Sequence, residues 1–180
     1  MPLSRGGGKM KTAVLASRLG AKAYVVGGAG VKAAVRAAGL EVVEPEVEWG
    51  ILPDAMALLE VDSAVRVVVL AFDASFCYYH VAYATRCLLE NAGCALIATN
   101  RDFQFPSQRG RKLPGNGAFV AAVCASARRE PDALVGKPEP FALEEIMRDA
   151  GVTDASRVLM VGDMWQAQAA FSISFFFSER

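Results

Sequence analysis

One histidine and four cysteines are the whole supply of imidazole and thiol metal ligands in this 180-residue chain, and their spacing builds no site. Cys77, Cys87, Cys94 and Cys124 include no C-x-x-C pair, none stands at metal-ligand spacing from His80, and each has apolar neighbours. That argues against a zinc site or a disulfide framework and for buried thiols in a reducing compartment. No apolar run reaches membrane-spanning length. Net charge is zero, with 19 basic and 19 acidic residues, so no sequence-wide field points to nucleic acid or an anionic membrane. Acidic residues are absent from Met1 to Leu40, where Arg5, Lys9, Lys11, Arg18, Lys22, Lys32 and Arg36 stand alone. A transit peptide has that bias, but the segment turns into patterned fold and is read as fold, not as a cleavable leader. The closing "FSISFFFSER" is too short to span a bilayer and carries no helix cap, so it reads as an aberrant tail.

What the chain does have is alternation. A chain of this length makes one domain or two small lobes with a sizeable core. "AKAYVVGG" (Ala21 to Gly28) is an apolar run closed by glycines, and helical spacing follows it to a C-capping Gly39, before a second run at Glu41 to Val43. Beyond a polar stretch, "VRVVVLAFD" (Val65 to Asp73) reads as strand and Tyr78 to Gly93 as helix. "CALIATN" (Cys94 to Asn100) reads as strand, and Arg101 to Gly117 as a loop rich in turn formers. Helix, strand, helix and strand then follow in "AFVAAVCASARRE", "DALVGKP", "FALEEIMRDAG" and "SRVLMVGD". Strands that are continuous Val, Leu and Ile are buried on both faces, as in parallel sheets covered by helices. The fold class is therefore α/β.

In such sheets, function gathers where loops leave the carboxyl ends of the strands. Three ends carry polar residues: Thr99-Asn100 with Asp102, Lys137, and Asp163. Singly, each has an ordinary reading: Asn100 and Asp102 as turn residues, Lys137 as an exposed loop lysine, Asp163 as a helix N-cap. Together they are more telling, because Gly136-Lys137-Pro138 and Val161-Gly162-Asp163 occur in order with one helix between them. "GGAG" (Gly27 to Gly30) follows a strand and opens a helix, yet it is not G-x-G-x-x-G, and no nucleotide site follows from it.

From about Tyr24 to Asp163 the chain resembles the phosphoglycolate phosphatase and 4-nitrophenylphosphatase group of the haloacid dehalogenase superfamily, the branch with an inserted α/β cap. The strings that carry the resemblance are "VVVLAFDASFCYYHVAYATRCLLENAGCALIATNRD", "PGNG", "GKPEP" and "VLMVGD". It implies an irregular segment over 1–20, a cap domain with a parallel-type sheet over 21–119, an incomplete Rossmann-like hydrolase core over 120–170, and the tail over 171–180. It also implies a phosphatase of small phosphomonoesters such as phosphoglycolate or 4-nitrophenyl phosphate, using Mg²⁺. Lys137 would steady the nucleophile and the phosphoryl oxygens, and Asp163 would be a magnesium ligand. Asn100, Arg101 and Asp102 would lie near the boundary of cap and core, with Phe105 facing the leaving group or packed under the cap. Pro114, Gly115 and Gly117 would shape the return to the core. The partners implied are a small phosphorylated metabolite and a second copy of the chain through the cap, with neither nucleic acid nor membrane. Relatives occur in cytosol and plastids, which places the chain in one of these and not outside the cell.

The same resemblance exposes gaps. No Asp-x-Asp occurs anywhere in the chain, so the nucleophile and its acid-base partner are missing, as is the Thr/Ser-Asn motif of the first core strands. After Asp163 the family's Arg-Leu-x-Thr-Asp gives way to Met164 and Trp165, and Gln168 takes the place of the second acid. A glutamine brings no negative charge to a metal. The expectation is a chain truncated at both ends and inactive as written, or a catalytically silent fragment that serves for binding or dimerisation.

Overall fold

The computed structural model describes residues 16, 18, 22–44, 53–136, 141–154, 157–162 and 174–177. Alternation of apolar runs and amphipathic spacing becomes strand β1 (Lys22–Val26), helix α1 (Ala29–Ala37), β2 (Glu41–Val43), α2 (Pro53–Leu58), β3 (Val65–Leu70), α3 (Tyr78–Glu90) and β4 (Ala95–Ala98). Then come β5 (Gln104–Pro106), β6 (Lys112–Pro114), α4 (Asn116–Ala127), β7 (Ala133–Leu134), α5 (Phe141–Asp149), β8 (Leu159–Gly162) and β9 (Ser174–Phe177).

Five strands form one parallel sheet in the order β2-β1-β3-β4-β7. The chain thus grows the sheet one way from β1 to β2 and the other way from β3 to β7, with the reversal between β1 and β3. Val67 to Leu70 have no exposed surface, as expected of a strand covered on both faces. One face packs on α3 and α4 through Tyr83, Cys87, Leu96, Val120 and Val123. The other packs on α1 through Val31, Val35, Val67, Val69 and Ile97. Each such aliphatic side chain contributes about 1.5–3 kcal/mol by leaving water.

The expected parallel α/β architecture is what forms. The boundary placed after Phe119 falls inside α4, which packs against α3 and β3. Two segments differ in local structure from the sequence reading. Within Arg101 to Gly117, read as loop, β5 and β6 pair as an antiparallel hairpin, Phe105 opposite Leu113. Ser174–Phe177, read as part of a tail, pairs in parallel with Leu159–Gly162 as a separate two-stranded sheet. Among the described residues, no helix is long and apolar enough to cross a membrane.

All four cysteines are free, and Cys87, Cys94 and Cys124 are buried. Burial pushes the Cys87 thiol up to about 12 and that of Cys94 up to about 11. Cys77 is half-buried at the start of α3, where its backbone N–H donates to His80 Nδ1 at 3.2 Å.

Candidate functional site

Parallel strands deliver their following loops to one edge, and here that edge is tied by backbone bonds. Ala71 N donates to Val26 O at 2.8 Å, Thr99 N to Leu70 O at 2.9 Å, and Val135 N to Ala98 O at 3.0 Å. The ends of β1, β3, β4 and β7 therefore form one rigid rim. Between β1 and β3, where the strand order reverses, the rim opens into a crevice of about 390 Å³ lined by Gly28, Val31, Ala71, Phe72, Thr99 and Asn100 among others. This is the place at which open α/β sheets bind ligands.

The "PGNG" string explains how the far side of the rim is held. A Cβ on Gly117 would come within 2.5 Å of Arg101 O, and one on Gly115 would overlap Asp102 O, so only glycine lets the start of α4 lie on this backbone. In that position Gly115 N donates to Phe103 O at 2.7 Å and Gly117 N to Asp102 O at 2.9 Å. Asn116, only 2% exposed, then points inward. Its Nδ2 donates to Leu70 O at 3.2 Å, Thr99 Oγ1 at 3.3 Å and Asn100 O at 2.9 Å, latching the ends of β3 and β4 together. Gly136 is constrained in the same way, since a Cβ there would reach 2.5 Å from Thr99 O.

The residues singled out in the sequence part company on this frame. Asn100 lines the crevice, and its Oδ1 accepts from Asp102 N at 3.2 Å, the turn role that was the ordinary alternative. Arg101 turns away to an ion pair with Glu130 and lines a different groove beside α4. Asp102 is exposed and contributes its carbonyl to the α4 contact. Phe105 is half-buried in the hairpin, edge-on to Phe72 at 5.2 Å between ring centroids. Lys137 and Asp163 lie outside the described residues.

Sequence reading passed over Phe72 and Asn116. Phe72 was absorbed into the apolar run "VRVVVLAFD", whereas the strand stops at Leu70 and Phe72 stands beyond it, 42% exposed. It begins a row of rings, stacked on Phe119 at 5.6 Å, which stacks on Phe76 at 4.2 Å. A large aromatic immediately past the end of a buried strand was the available signal.

Charge around the rim is settled locally. Burial works to raise the Asp73 carboxyl, but the Ser75 hydroxyl and amide, donating at 2.6 and 2.9 Å, hold it below the usual carboxylate range. Burial lowers the His80 imidazole, outweighing the pull of Asp73 in the opposite sense. The Lys32 ammonium is engaged by Glu44 at 2.9 Å. Among the described residues, no three His, Cys, Asp or Glu side chains gather as a metal site.

The model of the haloacid dehalogenase-like hydrolases matches residues 13–166. Phosphoglycolate phosphatase 2 of Arabidopsis thaliana is 38% identical over 156 residues, covering 83% of this chain and 50% of the relative. Glycerol-3-phosphate phosphatase of Gallus gallus is 37% identical over 146 residues, covering 80% of this chain and 46% of the relative. The solved p-nitrophenyl phosphatase from Archaeoglobus fulgidus superposes with a TM-score of 0.70 at 30% identity, over 87% of this chain and 52% of that one. The chain thus spans about half the length of the relatives it matches.

Proposed function

The chain belongs to the haloacid dehalogenase-like hydrolases, and we propose that within them it serves hydrolysis of small phosphomonoesters, supplying the half that selects the substrate together with two residues of the chemical half. The observation that carries this reading is the family match across residues 13–166, which takes in Lys137 and Asp163 as well as the whole five-stranded sheet.

Phosphoryl transfer asks for an in-line nucleophile and for cations that offset charge on the equatorial oxygens. In this reading Lys137 neutralises phosphoryl charge. Asp163 contributes one carboxylate to Mg²⁺, which when bound would offset the remainder. The rim at Thr99 and Asn100, held by Asn116, receives the part of the substrate that departs, with Phe105 packed edge-on to Phe72 beside it. The nucleophile is not among these 180 residues, which contain no Asp-x-Asp. A cytosolic or plastid setting belongs to the same reading.

The test compares hydrolysis of 4-nitrophenyl phosphate and phosphoglycolate by this chain and by the chain joined to a family segment bearing Asp-x-Asp. We expect no turnover from the chain alone and magnesium-dependent turnover from the joined protein. Lys137→Ala should then cut kcat by about a thousandfold or more. Turnover by the chain alone that ignores Lys137→Ala would overturn the assignment.

A second reading, a binding or dimerising module without catalysis, has its own support in α4. That helix is apolar nearly all round, unlike an ordinary surface helix. It leaves Ala118, Ala121 and Ala125 exposed beside a groove of about 720 Å³ with Phe103 at its edge, 71% exposed. A second copy of the chain is the occupant this reading assigns to that face. Sedimentation of the wild type against Ala121→Arg distinguishes the cases: a dimer that the arginine disperses supports it, and a monomer in both rejects it.

A further inference from the structure

Three tyrosines meet beneath α3, on the sheet face that this helix covers, and none of them lines the crevice at the rim. Tyr24 belongs to β1, while Tyr79 and Tyr83 stand four residues apart on α3, so the two helical rings lie on one side of the helix. Those two ring planes are 21° apart with centroids at 6.0 Å, and Tyr24 meets Tyr83 at 4.6 Å. Each of the three is 5% exposed or less. Their surroundings are hydrocarbon and thiol, with Val26, Met56, Val68, Ala84 and Cys87 in the same cluster.

A phenol hydroxyl has one proton to give and two lone pairs to fill. Tyr83 fills one of these by accepting from Asp62 N at 3.2 Å, and among the described residues nothing accepts its own proton. The hydroxyls of Tyr24 and Tyr79 are buried and have no partner of either kind among the described residues. Burial raises the Tyr24 hydroxyl far above the ordinary tyrosine range, and the Tyr79 hydroxyl is the next cause, which sets the two oxygens in one neighbourhood. Phenylalanine would fill nearly the same volume without the cost of a buried, unpaired hydroxyl. Two such hydroxyls in one cluster therefore point to something bonded to both. An ion is a poor occupant, because hydrocarbon walls do not repay its lost hydration. Water suits the place: it donates and accepts, and waters buried in protein interiors typically hold about three hydrogen bonds.

We propose that one ordered water molecule is bound between β1 and α3 by the hydroxyls of Tyr24, Tyr79 and Tyr83. It accepts two of the three phenol protons and donates to the third oxygen, so the inventory of donors and acceptors closes. Tyr83 connects the water to Asp62, whose carboxylate engages Lys22 of β1 at 3.0 Å. The site thus extends into the core a polar link that already joins β1 to the loop before β3. The inference is independent of the phosphatase reading.

The test uses the full chain, with water itself as the probe. Oxygen-17 relaxation dispersion should count one long-lived water fewer in the Tyr24→Phe, Tyr79→Phe double variant than in the wild type. Each single variant, which removes one oxygen and leaves the ring packing in place, should lower the urea midpoint by roughly 0.3–0.5 M. A midpoint that rises with either phenylalanine would mean that an unpaired hydroxyl had been removed, and would overturn the proposal. Lowered midpoints with an unchanged count of long-lived waters would overturn it as well, because the partner would then be a group of the protein itself.

Discussion

From Lys22 to Val135 the chain closes a parallel sheet with helices on both faces. From Phe141 onward, α5 is followed by the short pair β8–β9, a sheet of its own. The first region carries every residue that the geometry brings to the crevice. The second begins just after Lys137 and ends its first strand just before Asp163, the two positions assigned to phosphoryl chemistry. In the proposed reading Lys137 follows β7, an edge strand of the first sheet, and Asp163 follows β8 of the second, so the two positions come from different sheets. Substitutions in the first region should alter stability and fit together, because the same residues that line the crevice also anchor the strand ends.

That contrast is tested hardest at the glycines of "PGNG". Gly117→Val places side-chain atoms against Arg101 O, and the start of α4 cannot retreat without breaking the bond from Gly117 N to Asp102 O. We expect a loss of roughly 3 kcal/mol or more by urea denaturation. Leu70→Ala, in the middle of the buried sheet, should cost about 3 kcal/mol. A chain ending after Gly136 should move the urea midpoint far less than Leu70→Ala does. If the truncation proved the more damaging, the first region would not be the self-sufficient unit described above.

Asn116→Ala comes next. It strips a donor from Leu70 O and Asn100 O at a site with no room for bulk water, and about 2 kcal/mol is expected. The informative readout is the ratio of two effects. Binding of 4-nitrophenyl phosphate should fall along with stability, because the amide fixes Thr99 and Asn100. Loss of stability with unchanged binding would separate the latch from the crevice.

These residues also mark how far sequence alone could see. Strands β1, β3 and β4 and helices α1, α3 and α4 were legible because burial on both faces writes continuous apolar runs and burial on one face writes helical spacing. Asn116 was not legible: its three acceptors lie 46, 17 and 16 residues away, and nothing local marks an amide for them. The hairpin β5–β6 was missed because each strand has three residues, too few to show alternation. Phe72 was hidden by the run it follows. Lys137 and Asp163 come from the motifs and fall outside the described residues, so the geometry does not bear on them.

A smaller effect concerns pH. His80 has its folded-state pKa below the ordinary 6.5, chiefly through burial, with Asp73 opposing and Lys32 reinforcing the shift. As pH falls past the ordinary histidine value, the unfolded chain takes up the proton before the folded one does. Stability must therefore decline with acidification across that window. Urea midpoints should drop between about pH 7 and pH 5.5, and His80→Gln, which can still accept from Cys77 N–H, should flatten that part of the profile. A midpoint rising on acidification would reverse the sign and contradict the half-buried imidazole.

The smallest expected change separates stability from use at the crevice itself. Gly28 is the N-cap of α1 with φ −62° and ψ 165°, a conformation open to any residue, and no side chain caps the helix. No acid stands in its first turn. Gly28→Asp should therefore stabilise the chain by about 0.3 kcal/mol, since aspartate caps better than glycine by a few tenths and its charge suits the helix start. Gly27 is a different case: a Cβ there would press within 2.5 Å of Val31 Cγ1. If Gly28→Asp raises the urea midpoint and lowers 4-nitrophenyl phosphate binding, the glycine is kept for what enters the crevice, at a small cost in stability. If it raises both, the space above α1 is not where the ligand sits.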